Sequence, residues 1–505
     1  MVTRALSLSN DAVASAATRR PDHVAVDLLD DAGRPAATWT WGRLSAAVDE
    51  TAASLAADGT TAGSIVPLCT TRPMDATRTL FACDRLGAVF APLHPRLAPD
   101  ARAAAMARLQ AAAASGATEG GGADVSSAGH DAGPLPAPGD AAWGPVLDAW
   151  RDGGVPPELA RDAWVLFTSG TTGRSKAAVL TRANLVASAM ASALRLGVDP
   201  ADRWLACMPL YHVGGLSILW RSAWMATSVV ALPRFTLDGV ARALADEQIT
   251  LLSVVPTMLV RMLRAGVAPG PRLRAVLVGG GPATADLLRE ARDAGWPVCP
   301  TYGLTEAASQ VATLPPGAPQ AALATVGPPL AGTQVRIRDV GVDGVGAIEV
   351  RGPTVMRGYL DEPPGAAPAI VDGWLQTGDL GRFVGSRLAI VTRRTDLVVT
   401  GGENVYPAQV EAQLGRAPGV DDVLVVGVDD PEWGQRVACL VVTEREPAAL
   451  IADLEAFARG RLAPHQRPRE YRVVDALPTT PIGKVDRRAA ARLFATNDAS
   501  PPDAS

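Results

Sequence analysis

The order of apolar and polar residues predicts both helices and strands in the first two thirds of the chain. Residues 44–57 are helical in pattern, whereas residues 64–68 form a short apolar run typical of a strand. Between about residue 160 and residue 390, β-rich runs alternate with helical stretches, and these runs lie at 164–167, 251–255 and 275–278. Because such alternation is typical of layered α/β folds, we predict a large domain with β-sheets flanked by helices.

The last quarter of the chain has the pattern of a smaller α+β domain. Strands are predicted at 422–428 and 438–442. A helix is predicted at 449–462, because its apolar residues recur on one side, namely Leu450, Ile451, Leu454, Phe457 and Leu462. The density of charged residues rises near residue 392, which is typical of a linker between two domains.

These patterns divide the chain into two domains and two irregular segments. With 505 residues the chain is long for one compact core. We predict an N-terminal domain at 1–391 and a C-terminal domain at 392–495. Residues 111–140 are rich in Ala, Gly and Pro, so we predict a loop or a partly disordered insertion there. Residues 496–505 are predicted to be a frayed tail.

Composition and charge exclude several classes of function. The net charge of −5 provides no basic surface for nucleic acid or an anionic membrane. No uncharged apolar run reaches the roughly 18 residues that a membrane span needs, and the N-terminus lacks a signal-peptide pattern. The five cysteines are scattered without a CxxC pair, which fits a reducing compartment. We therefore expect a cytoplasmic protein with no nucleic-acid partner.

Lysine is almost missing from the chain. Of the 47 basic residues only Lys176 and Lys484 are lysine, and the others are arginine. A retained lysine can mark a site that needs a compact ammonium group rather than a planar guanidinium. A codon-biased genome that left two lysines by chance is the other interpretation, and composition alone does not choose between them.

A glycine-rich loop between two β-capable runs predicts a phosphate site. The segment TSGTTGRSK follows the run at 164–167 and precedes another at 177–180. Its glycines allow backbone N–H groups to converge on an anion, and its hydroxyls and lysine add further donors. The GxxGxxK spacing differs from a Walker A loop, and a flexible surface turn is the alternative. The candidate nucleotide-binding residues are Thr168, Ser169, Gly170, Thr171, Thr172, Gly173 and Lys176.

This segment resembles the phosphate-loop signature of the adenylate-forming superfamily, which includes acyl-CoA synthetases, adenylation domains and luciferases. Further motifs follow in the family's order across residues 160–490. The resemblance implies a large N-terminal domain, a small mobile C-terminal domain, and ATP with Mg²⁺ as cofactors. It also implies that a carboxylic acid is first joined to AMP and then to a thiol, that of coenzyme A.

The resemblance implies that two further motifs supply the other ATP contacts. In the family, a glycine loop after a strand lies against the adenine, which here is Gly280, Gly281 and Pro282. The segment TYGLTE contains Thr301, Tyr302 and Gly303. Tyr302 offers a ring for adenine stacking. Thr305 offers a hydroxyl to the α-phosphate, and Glu306 offers an oxygen ligand to Mg²⁺. A helix start with Thr305 as N-cap is a structural alternative that is compatible with these roles.

The C-terminal motifs complete the resemblance. Asp379 in QTGDL is assigned to the ribose hydroxyls, and Arg393 to a ribose or phosphate contact. Thr392 and Thr395 depart from the general hinge pattern. The segment GGENVYP, with Gly401, Gly402 and Asn404, is implied to line the pantetheine tunnel. Lys484 in PIGKVD is implied to meet the α-phosphate and the attacking carboxylate, whereas an isolated lysine of this kind would be a solvated surface residue.

The acid substrate is indicated by longer stretches of similarity. Residues 277–314 and 391–411 resemble the o-succinylbenzoate–CoA ligase subfamily of menaquinone biosynthesis, whose members share the RR-[ST]-D hinge. His212 and Gly214 in YHVGG are predicted to face the acyl pocket, with His212 also a catalytic candidate. Further substrate-binding candidates are Gly280, Ser309 and Arg221.

Several alternatives stay open at this point. Arg221 is either a partner for the second carboxylate of the substrate or a surface arginine. The acid is either 2-succinylbenzoate or another aryl or medium-chain acid. The chain could also be a stand-alone enzyme that loads a carrier protein, or a degenerate binder without catalysis. Family members are often dimers, so the expectation of a homodimer rests on analogy alone.

Overall fold

A computed structural model describes most of the chain. The described residues are 11–95, 97, 99–114, 136–137, 140–168, 175–361, 368–393, 396–401, 403–479 and 485–495. Most of the predicted insertion at 111–140 and all of the predicted tail at 496–505 lie outside them. Within the described residues, no helix is both long and apolar enough to cross a bilayer.

Helices and strands alternate through most of the described chain. The helices are α1 Ala12–Arg19, α2 Trp41–Ala57, α3 Pro73–Leu86, α4 Pro99–Ala114, α5 Trp143–Arg151, α6 Arg182–Leu196, α7 Val213–Met225, α8 Leu237–Asp246, α9 Pro256–Arg264, α10 Ala285–Asp293, α11 Pro407–Leu414, α12 Pro447–Arg461 and α13 Arg487–Ala495. The strands are β1 Val24–Leu29, β2 Pro35–Thr40, β3 Ile65–Leu68, β4 Val89–Pro92, β5 Asp162–Thr168, β6 Lys176–Thr181, β7 Arg203–Ala206, β8 Ser228–Ala231, β9 Leu251–Val254, β10 Ala275–Val278, β11 Val298–Leu304, β12 Ser309–Thr313, β13 Gln334–Arg338, β14 Gly346–Arg351, β15 Gly358–Tyr359, β16 Ile370–Val371, β17 Trp374–Val384, β18 Arg387–Arg393, β19 Val398–Thr400, β20 Glu403–Val405, β21 Asp422–Asp430, β22 Gly434–Val442 and β23 Glu470–Val473.

The chain forms two compact units. The first consists of Met1–Arg336, Glu349–Thr377 and Val384–Leu388, and the second of Ile337–Ile348, Gly378–Phe383 and Ala389–Ser505. The predicted division at residue 392 stays a prediction, since two short earlier segments also cluster with the second unit.

An eight-stranded sheet is the main frame of the first unit. Its strand order is β12-β11-β10-β9-β7-β8-β1-β2. Strands β11, β10, β9, β7, β8 and β1 are parallel to their neighbours, whereas β12 and β2 at the edges are antiparallel. A buried cluster that includes Leu252, Val276 and Trp296 packs against this sheet. The parallel strands end at one common edge, where loops of α/β folds bind their ligands.

Three five-stranded sheets complete the fold. One has the order β15-β6-β5-β4-β3, and another has the order β13-β14-β17-β16 with β18 paired to β17. The third belongs to the second unit and has the order β20-β19-β22-β21 with β23 paired to β22. The predicted α/β fold class is confirmed by these layers of sheets and helices.

Local sequence signals account for the start of α6, the helix that follows β6. Thr181 and Asn184 form a capping box, in which the Thr181 hydroxyl accepts from the Asn184 backbone N–H at 3.2 Å and the Asn184 side chain accepts from the Thr181 N–H at 2.8 Å. The Asn184 amide also donates to the carbonyls of Pro353 and Val355. This helix start therefore anchors a distant loop of the same unit.

The elements predicted from periodicity agree with the structure. The runs predicted at 164–167 and 275–278 lie within β5 and β10. The helix predicted at 449–462 is α12, and Leu450, Leu454 and Leu462 are buried in the core of the second unit. The apolar pattern was sufficient because β5 and β10 are buried at consecutive positions and so form continuous apolar runs, whereas α12 buries one side.

Asp162, at the start of β5, is a buried carboxylate that makes folding sensitive to pH. Its side chain is 1% exposed and lies 3.1 Å from Nη2 of Arg357. Burial raises the pKa of Asp162 to about 6, and the Coulombic attraction of Arg357 opposes that rise. Because the folded chain holds this proton more tightly than the unfolded chain, stability falls as the pH rises from about 4 to 6.

As the pH rises from 4 to 7, Asp162→Asn is therefore expected to gain stability relative to the unmodified chain, by about 2 kcal/mol. Urea unfolding followed by tryptophan fluorescence at several pH values measures the difference in midpoint. Asp148→Asn, at an exposed carboxylate, is the matched control. If the difference in unfolding midpoint between Asp162→Asn and the unmodified chain did not change with pH, the raised pKa of Asp162 would be contradicted.

Candidate active site

Loops at the carboxyl edge of the eight-stranded sheet bring together three of the predicted motifs. The YHVGG segment follows β7, the glycine loop follows β10, and Thr305 follows β11. These strands are close neighbours in the parallel part of the sheet. The residues of these motifs are therefore concentrated at one edge, although 70 or more positions separate some of them in the sequence.

The turn between β11 and β12 carries Thr305 and Glu306. Thr305–Ala307 form a single 3₁₀ turn, and the next two residues, Ala308 and Ser309, have positive φ angles of 49° and 101°. Gly303 is required here, because a Cβ at this position would lie 1.6 Å from the Ser309 carbonyl oxygen. A helix does start here, but it is one 3₁₀ turn with Leu304 at the N-cap position, so the alternative that placed Thr305 at the N-cap is wrong. The chain then returns as the antiparallel strand β12.

Glu306 is held from two sides within the first unit. Its Oε1 accepts a hydrogen bond from the Tyr359 hydroxyl at 2.8 Å, and its backbone oxygen accepts from the Met356 N–H at 2.8 Å. The Nζ of Lys176 lies 4.6 Å from the centroid of the Tyr359 ring, within range of a cation–π interaction. Tyr359 thus connects the carboxylate of one motif with the ammonium group of another.

The strands that flank the predicted phosphate loop are paired. Thr168 at the end of β5 lies opposite Lys176 at the start of β6, and the Thr168 hydroxyl donates to the Lys176 carbonyl at 3.4 Å. Ser169, Gly170, Thr171, Thr172 and Gly173 lie outside the described residues. Their phosphate contacts therefore stay predictions.

The glycine loop after β10 approaches β11 closely. A Cβ on Gly279 would lie 2.6 Å from Cγ2 of Thr301, and Gly280 has a φ of 76°. Gly280, Gly281 and Pro282 are exposed. The Thr301 hydroxyl is hydrogen-bonded within the β11–β12 pair, to the Ala312 carbonyl and to Thr313. Tyr302 is buried.

An aromatic cluster lies at the N-terminus of α7. The ring centroids of Tyr211 and His212 are 4.5 Å apart, and those of Tyr211 and His94 are 4.4 Å apart. A Cβ on Gly214 would lie 3.3 Å from Cε of Met208, a close but adjustable contact. His94 was missed by the sequence patterns, although it is one of only five histidines in the chain.

Arg221 is in the interior of the first unit. The residue is 4% exposed, so the interpretation as a surface arginine is wrong. Its guanidinium lies 5.8 Å from the Trp204 ring centroid and donates to the Ser188 hydroxyl at 3.3 Å. Burial lowers the pKa of Arg221 to about 9. A contact with a substrate carboxylate stays a prediction.

The second unit contains a paired aspartate and arginine. Asp379 in β17 is 5% exposed and follows Gly378, which has a φ of 73°. Nε of Arg393, at the end of β18, donates to Oδ1 of Asp379 at 3.0 Å. An aspartate oxygen ordered in this way can accept hydrogen bonds from a diol.

The GGENVYP segment packs on Trp433 within the second unit. Gly401 has a φ of 58°, its N–H donates to the Trp433 carbonyl at 2.9 Å, and a Cβ there would lie 2.8 Å from the indole. Asn404 is exposed in β20. The Tyr406 hydroxyl donates to Asp343 at 2.7 Å, and burial together with that carboxylate raises the pKa of Tyr406 to about 12. Gly402 and Lys484 lie outside the described residues.

Comparison with known proteins agrees with this arrangement. Residues 13–360 match the AMP-binding enzyme family, and residues 409–484 match the C-terminal domain of AMP-binding enzymes. The chain belongs to the AMP-binding enzyme family. Within this family it is 41% identical over 331 residues to a 2-succinylbenzoate–CoA ligase of Bacillus licheniformis, a match that covers 64% of this chain and 69% of that protein.

Solved structures of the family extend the similarity to the whole chain. The structure of o-succinylbenzoate CoA synthetase from Bacillus subtilis in complex with its acyl-adenylate intermediate superposes with a TM-score of 0.79 at 28% identity. It covers 98% of this chain and 99% of that chain. The same enzyme with ATP and a magnesium ion gives a TM-score of 0.76 at 28% identity over 95% of this chain and 98% of that chain.

The donor set fits a magnesium ion that arrives with ATP. Among the described residues, no group of three or more His, Cys, Asp or Glu side chains could hold a metal ion. Mg²⁺ bound to a nucleotide needs only one or two protein carboxylates, because phosphates and waters complete its octahedral shell. Glu306, which Tyr359 orients through one oxygen, satisfies that requirement in this AMP-binding enzyme.

Tyr359 is the site residue that sequence patterns missed most clearly. The chain has only five tyrosines, and Tyr211, Tyr302 and Tyr406 lie in the motifs already identified. Tyr359 and Tyr471 both lie outside those motifs, and Tyr471 packs on the core of the second unit, so only the structure shows that Tyr359 contacts Glu306.

Proposed function

We propose that the chain is an ATP-dependent acid–CoA ligase that converts 2-succinylbenzoate, via its acyl-adenylate, into the coenzyme A thioester. The chemistry is supported by membership of the AMP-binding enzyme family. The identity of the acid is supported by the names of the relatives and by the structural neighbour that contains the acyl-adenylate.

One observation carries the adenylation step. Glu306 and Lys176 come from two different motifs and are both in contact with Tyr359. A carboxylate that binds Mg²⁺ and an ammonium group beside the phosphate loop are the charges that a triphosphate requires. Their common tyrosine fixes one relative to the other before ATP binds.

In the first step, an oxygen of the substrate carboxylate attacks the α-phosphorus, and the bond to the bridging oxygen of pyrophosphate breaks. Magnesium bound through Glu306 supplies charge neutralisation on the phosphates. Thr305 donates to the α-phosphate, and Lys484 draws the two anions together. Asp379 and Arg393 bind the ribose, while Tyr302 and the glycine loop contact the adenine. This step is limited mainly by electrostatics and position, so preorganised donors supply most of the rate.

In the second step, the sulfur of coenzyme A attacks the acyl carbonyl and AMP leaves, while the thiol proton passes to solvent. Gly401, Gly402 and Asn404 line the path of the pantetheine arm. The left-handed backbone of Gly401 on Trp433 provides a surface without a side chain for that arm.

The aromatic cluster favours an aryl acid. The rings of His94, Tyr211 and His212 follow one another at about 4.5 Å, and a flat aryl ketone can pack on such a surface. Ser309 and Gly280 border the acid in this proposal. His212, two positions before Gly214, orients the reacting carboxylate in this proposal.

Pyrophosphate release across a panel of acids, with and without coenzyme A, tests the proposed function. We expect release with 2-succinylbenzoate and thioester formation only when coenzyme A is present. The matched control acid is 3-benzoylpropionate, which keeps the aryl ketone and one carboxylate. Pyrophosphate release without thioester formation would indicate a carrier-loading enzyme. Faster release with another acid would show that 2-succinylbenzoate is not the substrate. No release with any acid would indicate a non-catalytic binder.

The homodimer and the cytoplasmic location stay predictions. Light scattering coupled to size-exclusion chromatography distinguishes a monomer of 52.2 kDa from a dimer.

A further inference from the structure

The turn that presents Thr305 and Glu306 is built from unfavourable backbone conformations. Ala308 and Ser309 have positive φ angles although neither is glycine. Non-glycine residues keep such angles only where the surrounding structure holds them in place. The conformation of the Glu306 segment therefore depends on which residues pack against the turn at Ala308 and Ser309.

A buried serine of α6 makes that contact. The Ser188 hydroxyl donates to the Ala308 carbonyl at 2.6 Å, across 120 positions of sequence. Ser188 is 3% exposed, so water does not compete for this hydrogen bond. A serine within a helix more often bonds to a carbonyl of its own helix, whereas this one holds a different element.

Arg221 fixes the direction of that hydroxyl. Its Nη2 lies 3.3 Å from the Ser188 oxygen, and arginine can only donate. The serine oxygen must therefore accept from Arg221, which leaves its own proton for the Ala308 carbonyl. Among the described residues, no carboxylate forms an ion pair with Arg221. Its one hydrogen bond there is to Ser188, and its Nε has no partner.

We propose that Ser188, oriented by Arg221, is a positioning residue that holds the Ala308 turn and thereby places Thr305 and Glu306 for magnesium–ATP. This inference rests on the proposed function and adds residues to its adenylation site. It assigns Arg221 to the support of the nucleotide site instead of to the acid.

Ser188→Ala tests this role, with Ser192→Ala as the matched control. Ser192 is one turn further along α6 and is equally buried. Removing a residue that orients a metal ligand lowers metal affinity or activity by roughly 10- to 100-fold. We expect a shift of that size in the Mg²⁺ dependence of pyrophosphate release for Ser188→Ala and none for the control. Thioester formation from synthetic 2-succinylbenzoyl-adenylate should be unchanged in both variants.

Arg221 variants give an independent test that does not require Ser188→Ala to fold. Arg221→Lys keeps a donor and should retain most of the Mg²⁺ response, whereas Arg221→Met should lose it as Ser188→Ala does. Neither variant should change the KM for 2-succinylbenzoate relative to 3-benzoylpropionate. Because the two residues act in series, the double variant should be no worse than the more impaired single variant.

Three results would overturn the inference. The first is an unchanged Mg²⁺ dependence of pyrophosphate release in Ser188→Ala. The second is an equal loss of both half-reactions in that variant. The third is a rise in the KM for 2-succinylbenzoate, but not for 3-benzoylpropionate, in the Arg221 variants. Calorimetric titration with ATP at several Mg²⁺ concentrations repeats the comparison without any acid. If the unmodified chain binds magnesium–ATP but activates no acid, the proposed function fails while the positioning role is still decided by this titration.

Discussion

Lys484→Ala is expected to lower the rate of acyl-adenylate formation by about 10²–10³-fold, as the loss of one preorganised donor does. In the proposed mechanism this lysine draws the substrate carboxylate and the α-phosphate together, and the only other lysine of the chain is Lys176. Thioester formation from synthetic 2-succinylbenzoyl-adenylate should be spared, because that step no longer joins two anions. Pyrophosphate release and thioester formation are measured separately.

Two variants control for the loss of charge. Arg488→Ala removes an exposed positive charge four positions away and should leave both half-reactions intact. Lys484→Arg keeps the charge but replaces the compact ammonium with a planar fork, and it should recover only part of the rate. An equal decrease of both half-reactions in Lys484→Ala would show that the lysine does not act on adenylation specifically.

Glu306→Gln is expected to lower adenylation by about 100-fold, because an amide oxygen cannot neutralise the magnesium ion as a carboxylate does. The substitution preserves shape, and the amide oxygen can still accept from the Tyr359 hydroxyl. The defect should therefore come from the lost charge rather than from a displaced turn. Pyrophosphate release measured against Mg²⁺ concentration should show a higher magnesium requirement.

Tyr359→Phe is the matched control for Glu306. It removes the hydroxyl that bonds Glu306 but keeps the ring beside Lys176. Its effect should be the smaller of the two, at the lower end of a roughly 10- to 100-fold range, because an orienting partner is lost while the ligand stays. If Tyr359→Phe lowered the adenylation rate more than Glu306→Gln, the charge of Glu306 would not be the main contribution of this pair to adenylation.

Secondary structure could be predicted from local pattern because burial repeats along each element. The strands at 164–167 and 275–278 and the helix at 449–462 needed only the spacing of their apolar residues. The nucleotide motifs were equally visible, since a phosphate loop needs glycines and hydroxyls at adjacent positions.

Local pattern failed where a side chain's role depends on distant contacts. Nothing around Arg221 in the sequence distinguishes a surface arginine from one packed against Trp204. The alternative that placed Thr305 at a helix N-cap was wrong, because the chain forms only one 3₁₀ turn before it continues as β12, the antiparallel partner of β11. Strand pairing outweighs the local preference for a helix at this position.

The sequence by itself determined the α/β class and most elements, because these follow from periodicity, and its motifs with their family resemblance predicted the residues that bind a nucleotide. Only the tertiary structure decided which residues support them. Tyr359 reaches Glu306 across 53 positions, and Ser188 reaches Ala308 across 120. Hydrogen bonds of this kind have no local signature, since the packing of α6 and the pairing of β15 with β6 bring the partners within reach only after the chain has folded.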